Sequence, residues 1–181
     1  VGVNRFRPLH CACLYGQLEV VRILLSLQQP PNGDDDGGGG ADVDAKADCD
    51  WTPLHMASTN GYWEIVRLLL DNGANVAAET DNHWTSLHLA CASGHSETMQ
   101  LLIERGADVE AADEDEWRPL HLAVKGGHLE IAQFLQDHGA DMEAKDECDS
   151  TPLHVACQYG HLVISWHLIC RGAQINVQTR Y

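Results

Sequence analysis

DWTPLHMAS, running from Asp50 to Ser58, reads as the start of a helix with one residue left over. The Thr52 hydroxyl can accept from an unpaired N–H of the first turn, and Pro53 suits the first helical position because its missing N–H is not needed there. Leu54 and Ala57 then share one face of the helix. Trp51 takes no part in this, so it either braces the fold or meets a partner. The stretch recurs as RPLHCA from Arg7, TSLHLA from Thr85, RPLHLA from Arg118 and TPLHVA from Thr151. The histidines are His10, His55, His88, His121 and His154, at intervals of 45, 33, 33 and 33 residues, so the first interval is one period plus 12.

Two glycine series keep the same phase. Gly16, Gly61, Gly94, Gly127 and Gly160 each stand six residues after a motif histidine, while Gly40, Gly73, Gly106, Gly139 and Gly172 each precede an alanine. By motif and period the chain resembles the ankyrin repeat family over residues 2–178. That resemblance implies an all-α repeat solenoid, with stacked helix-turn-helix units joined by hairpin loops. The repeats fall at 2–46, with a 12-residue insertion near 28–39, then at 47–79, 80–112, 113–145 and 146–178. Residues 179–181 start a truncated next hairpin, and 1–181 form a single domain. Val1 is not a start methionine and the last hairpin has no helix after it, which suggests a fragment of a longer protein.

In the second repeat, helix one runs from about Pro53 to Thr59, Gly61 reverses the chain, and WEIVRLLL places Ile65, Val66, Leu69 and Leu70 at helical spacing. Gly73 supplies a left-handed cap. Helices shorter than about 12 residues are marginal alone, so their apolar faces must be buried by stacking.

Composition narrows the partners. There are 27 acidic residues against 11 basic and a net charge of −16, so nucleic acid and anionic membrane surfaces are excluded as targets for want of Lys and Arg clusters. No apolar run approaches the roughly 18 residues of a membrane span, so no membrane insertion is expected. Of the seven cysteines, Cys13, Cys91 and Cys157 share a phase that reads as a small buried helix position. Cys49 and Cys148 are three repeats apart. Helices spaced about 8–10 Å apart cannot bring such residues to the ~6 Å a disulfide needs. Reduced thiols imply an intracellular protein, cytoplasmic or nuclear.

The sequence departs from the family pattern in places. Consensus hairpins carry a glycine two residues before the motif threonine; here Arg5, Asp50, His83, Glu116 and Asp149 stand there. Asp and His tolerate positive φ better than Glu, so the turn of the fourth repeat is expected to differ. Arg7 and Arg118 replace the capping threonine, and Ser86 the proline, which predicts weaker caps. The insertion QQPPNGDDDGGGG has nothing to bury and reads as a disordered loop.

Phe6, Trp51, Trp84 and Trp117 occupy one phase, just ahead of each helix cap. Rungs set by helix spacing stand too far apart for ring-to-ring contact, which leaves slots for a partner's side chains. The resemblance implies that this position faces a concave groove. The alternative is that each ring lies flat on its own hairpin. The four residues before each later rung, ADCD, TDNH, DEDE and DECD, contain no Lys or Arg. Asp50, Asp81, Glu114, Asp115 and Glu147 would then make a negative rim, unless they are only a solvated face. By resemblance the groove also takes the ends of the first helices, Leu14 and Tyr15, Thr59 and Asn60, Ala92 and Ser93, Lys125 and Gly126, Gln158 and Tyr159, with tyrosines at the two ends and small residues in the middle.

Other constellations have structural explanations. The motif histidine sits where a capping box would place Glu and can bond loop backbone. His95, His128 and His161 follow the turn glycines, and no metal set is expected. Trp63 aligns with Leu18, Leu129 and Leu162 and reads as core. Trp166 and Val163 replace exposed polar types, an apolar patch best read as packing on a further repeat. Asn176 holds the hairpin place where the resemblance implies an asparagine that a hydroxylase can modify. No nucleophile elbow or phosphate loop is present, so no catalytic residue and no cofactor is expected.

The expected function is a non-catalytic protein-interaction module, a monomer or part of a larger chain, whose groove takes another protein or a basic peptide. A regulatory or targeting segment of a larger enzyme or channel is the alternative, and a structural tether a third.

Overall fold

The computed structural model describes residues 5–26 and 41–180; the insertion expected near 28–39 lies outside the described residues. Ten α-helices occur among them: α1 (Pro8–Leu14), α2 (Leu18–Ser26), α3 (Pro53–Thr59), α4 (Trp63–Asp71), α5 (Ser86–Ser93), α6 (Ser96–Glu104), α7 (Pro119–Lys125), α8 (Leu129–Asp137), α9 (Pro152–Gln158) and α10 (Leu162–Cys170). The odd-numbered helices stack on one another as an inner row, and α2, α4, α6 and α8 do so outside them. Each inner helix also packs on the outer helix of its own repeat. Among the described residues there is no strand longer than an isolated bridge between Glu79 and Thr85.

The motif leucines Leu9, Leu54, Leu87, Leu120 and Leu153 form the spine of the core, all buried. Ala57, Ala90, Ala123 and Ala156 are wholly hidden one turn on, where a small side chain lets neighbouring inner helices approach. The outer row contributes Ile65, Ile131 and Ile164 with Leu69, Leu102, Leu135 and Leu168.

The motif histidines tie each helix start to the next hairpin. His55 Nδ1 accepts from the Thr52 N–H at 3.0 Å, which leaves the proton on Nε2 to be donated to the Ala78 carbonyl at 3.0 Å. His88 does the same with Thr85 and Trp117, and His121 with Arg118 and Ala144. Both nitrogens are used in the neutral tautomer only. Burial accordingly lowers the pKa of His10, His88 and His121, and that of His55 to about 4. Thr52 and Thr85 also accept through their hydroxyls from the third helical N–H, whereas Arg7 and Arg118 have no acceptor to offer and give no side-chain cap.

A second histidine series joins the repeats on the other side. His95, His128 and His161 donate from Nε2 to the carbonyls of Thr59, Ala92 and Lys125, each at the end of the preceding inner helix. These carbonyls have no partner within their own helix. Each ring lies hard against the turn glycine of that preceding repeat, and Tyr62 takes the same place against Gly16. On the hairpin side, carboxylates of Asp44, Glu110 and Glu143 accept from the N–H groups of Asn75, Asp141 and Gln174, 31 residues on. Asn176 holds the next place in that series and is exposed.

Two expectations from residue phase fail. Cys13 and Cys91 are fully buried, but Cys157 is exposed. The position is covered by the next inner helix, and among the described residues none follows α9; an open cavity of about 260 Å³ lies there between Leu153, Cys157, Ile169 and Ile175. Trp63 is not core: it is 39 % exposed, at a position where Leu18 and Leu129 are half-buried and Leu162 is exposed, and the Arg67 guanidinium covers its ring at 4.8 Å. Trp166 is 67 % exposed. Of its counterparts, Arg22, Arg67 and Gln100 are exposed, whereas Gln133 is half-buried and lies 3.5 Å from His167 Nδ1 of the following repeat.

Candidate partner-binding groove

The second to fifth hairpins share one left-handed position, including the hairpin expected to differ, and the second adds a 3-10 turn over Asp48–Asp50 in which Cys49 is left-handed too, at φ +55°. Asp50, His83, Glu116 and Asp149 all have φ near +60°, Glu116 at +61°. Glutamate takes this unfavourable conformation because its neighbours leave no other. The buried Asp113 carboxylate accepts from both the Asp115 and Trp117 N–H groups, at 3.0 and 2.8 Å, and the Glu116 N–H bonds the Asp113 carbonyl at 3.1 Å. Asp146 closes the fifth hairpin in the same way. Adjacent hairpins are then laced by backbone bonds: Asp81 N–H to the Cys49 carbonyl, Glu114 to Asn82, Glu147 to Asp115 and Arg180 to Cys148, all at 3.0–3.3 Å. A continuous rail of turns results, and it fixes where the aromatic residues begin.

On this rail Phe6, Trp51, Trp84 and Trp117 each lean on the motif histidine of their own repeat. Ring centroids lie 5.9, 6.0, 6.1 and 5.6 Å apart, with interplanar angles from 17° to 62°. Trp51 and Trp117 also touch the core. The three indoles are half-buried and Phe6 is 40 % exposed. One side of each ring therefore rests on its own unit and the remainder is open to solvent.

The acidic positions divide into two groups. Asp50 is ion-paired with Lys46, and its neighbour in phase, Asp149, with Lys145 and Arg180. Asp81, Glu114, Asp115 and Glu147 are exposed and their carboxylates form no ion pair among the described residues; their hydrogen bonds are made by the backbone, including one from the Arg180 guanidinium to the Glu147 carbonyl at 3.3 Å. Uncompensated charge thus concentrates on the third, fourth and fifth hairpins.

The inner-helix ends face differently from one repeat to the next. Leu14 is half-buried against the core, whereas Tyr15 is 68 % exposed. In the middle Thr59 and Asn60 turn back to bond the carbonyls of their own helix, and Ala92 and Ser93 are small. At the far end Tyr159 is exposed and stacks on His161 at 6.4 Å, with the Lys125 ammonium between it and Trp117. By resemblance the sequence counts both Tyr159 and Lys125 among the inner-helix ends, but nothing in it shows two rings closing on that lysine. It sits at a phase held by Leu14, Thr59, Ala92 and Gln158, which share no chemistry with it.

For catalysis or metal binding the arrangement offers little. Among the described residues no three His, Cys, Asp or Glu side chains come together to hold an ion. Burial pushes the Cys13 thiol up to about 12 and raises that of Cys91 as well, which makes both poor nucleophiles. No described helix is long and apolar enough to cross a membrane.

Comparison with known proteins agrees with this architecture. The family model described as "Ankyrin repeats (3 copies)" matches residues 37–113 and 108–179, and that described as "Ankyrin repeat" matches residues 4–36. Protein phosphatase 1 regulatory subunit 27 of Homo sapiens is 35% identical over 65 residues, 36% of this chain and 34% of that protein. The Mus musculus protein of the same name is 40% identical over 65 residues, with the same coverage. The matched segment thus spans about a third of the length of these relatives.

Proposed function

The chain belongs to the ankyrin repeat family, and from that premise we propose that it is a non-catalytic module whose concave side binds a basic or mixed basic and apolar peptide segment of another protein. One observation carries this reading: half-open indoles at Trp51, Trp84 and Trp117 run beside carboxylates at Asp81, Glu114, Asp115 and Glu147 that form no ion pair among the described residues. A lysine or arginine entering there gains a ring face worth about 0.5–1 kcal/mol at an exposed site and an attractive field along its approach. Tyr15 and Tyr159 bound the groove at its two ends. The buried thiols Cys13 and Cys91 suit a reducing intracellular compartment.

Binding of a fluorescein-labelled twelve-residue peptide of Lys, Arg and Ala tests this directly. Exposed charges are screened beyond about 8 Å at physiological salt, so affinity should fall by about tenfold or more between 50 mM and 500 mM NaCl. An affinity indifferent to salt removes the acidic rim from the account.

The similarity to two phosphatase regulatory subunits supports a second reading, in which the groove belongs to a regulatory part and its partner is an enzyme. In that case the chain, added to a protein phosphatase 1 catalytic subunit, changes its activity toward a protein substrate.

A further inference from the structure

Lys125 is out of keeping with its surroundings. Eight of the chain's eleven Lys and Arg residues form ion pairs with carboxylates, as a chain with 27 acidic residues allows. Lys125, at the end of α7, forms none among the described residues. Its Nζ stands instead 5.0 Å from the centre of the Trp117 ring and 5.8 Å from that of Tyr159. Both distances lie within the ~6 Å over which a ring face attracts a cation. Trp117 comes from the fourth hairpin and Tyr159 from the next inner helix, so the two rings face one point from adjacent repeats. The backbone of Lys125 is held, because its carbonyl accepts from His161 Nε2 at 3.0 Å. The side chain is exposed, with four rotatable bonds between that anchor and the ammonium.

We propose that Trp117 and Tyr159 form a slot for an ammonium side chain of the partner, and that the unliganded chain keeps it filled with its own Lys125. This rests on the reading of the concave side as a groove for a basic segment, and adds to it the place where one cation of that segment is seated. Three features support it. The pair of rings is an aromatic clamp of the kind that holds Lys or quaternary ammonium groups. The clamp adjoins the hairpins whose Glu114, Asp115 and Glu147 remain unpaired. Finally, Lys125 is the single cation among the inner-helix ends, where the corresponding residues are Leu14, Thr59, Ala92 and Gln158. An incoming ammonium has to displace a resident one, so the slot is weakened for any ligand that lacks further contacts along the groove. Selectivity for an extended segment over an isolated cation follows.

The test uses the whole chain and two probes. Tetramethylammonium chloride is titrated at fixed ionic strength while the Trp117 indole N–H, assigned by its loss in Trp117→Leu, is followed by NMR. In Lys125→Ala this resonance should shift saturably, at about two- to fivefold lower concentration than in the wild type, the fold-change expected from losing one exposed cation–π contact. In Lys125→Ala/Tyr159→Leu that gain should vanish. A gain that survives the tyrosine replacement reflects charge removal alone and overturns the slot, as does the absence of a saturable shift in Lys125→Ala. The basic peptide is the second probe. If it binds the wild type but no tighter to Lys125→Ala, the slot falls and the groove stands. If it binds neither, the groove falls, and the tetramethylammonium titration still decides the slot.

Discussion

Lowering the pH from 7.5 to 5.0 should cost the fold at least about 2 kcal/mol of unfolding free energy, through the motif histidines alone. His55 titrates near 6.5 when unfolded and at about 4 in the folded chain, because burial disfavours the imidazolium. Between those values the unfolded state binds more protons, so stability rises with pH and is lost as pH falls through that window. For a shift of this size the loss is about 2 kcal/mol at pH 5 and about 3 kcal/mol below pH 4. His10, His88 and His121 are lowered by burial in the same sense and add to it. Exposed His83 runs the other way, since donating a hydrogen bond to the Glu79 carboxylate raises its pKa and stabilises the fold only while pH is low. Urea unfolding midpoints at the two pH values measure the total, and imidazole NMR identifies its source: on acidification His83 should take up its proton ahead of the buried motif histidines, while His55 stays neutral. A midpoint unchanged at pH 5, or a His55 signal that moves with His83, contradicts the neutral tautomer on which both hydrogen bonds depend.

The second large effect separates two glycines with the same backbone conformation. Gly94 and Gly106 have φ of +80° and +89°, so alanine at either incurs the left-handed penalty of about 1–2 kcal/mol. At Gly106 a Cβ meets nothing within 4 Å, and the loss should stop there. At Gly94 it would lie 2.5 Å from His128 Cε1. That ring cannot retreat without releasing the Ala92 carbonyl, which it bonds at 3.3 Å across the repeat interface. Leaving that carbonyl unsatisfied costs a further 1–3 kcal/mol or so. Gly94→Ala should therefore lose about 2–5 kcal/mol by urea unfolding, well beyond Gly106→Ala. Equal losses would show that the second histidine series does not couple the repeats.

Those histidines mark where sequence reading stopped. Motif period, threonine caps and glycine phase disclosed the helices and their order, because each depends on local geometry repeated every 33 residues. The bond from His95 to Thr59 spans 36 residues, and phase alone showed only that a histidine recurs there. Glu116 misled for a related reason. Its own propensity opposes positive φ, but the Asp113 carboxylate and the hairpin rail outweigh one residue's preference. At Trp63 and Cys157 the phase gave the direction of the side chain but not the size of the space or the neighbour covering it. On the hairpin rail, phase placed Phe6 and the tryptophans in one row. It could not decide how each ring turns, which the contact with the following motif histidine sets.

The five tryptophans provide the most direct measurement of the central claim, because they lie on opposite sides of the molecule. Trp51, Trp84 and Trp117 stand on the hairpin rail, whereas Trp63 and Trp166 belong to the outer helices α4 and α10. Titrating the basic peptide into labelled protein while following all five indole N–H signals requires no substitution. Shifts at Trp51, Trp84 and Trp117, with Trp63 and Trp166 still, are the predicted result; shifts confined to Trp63 and Trp166, or none at any indole while the peptide binds, would contradict it.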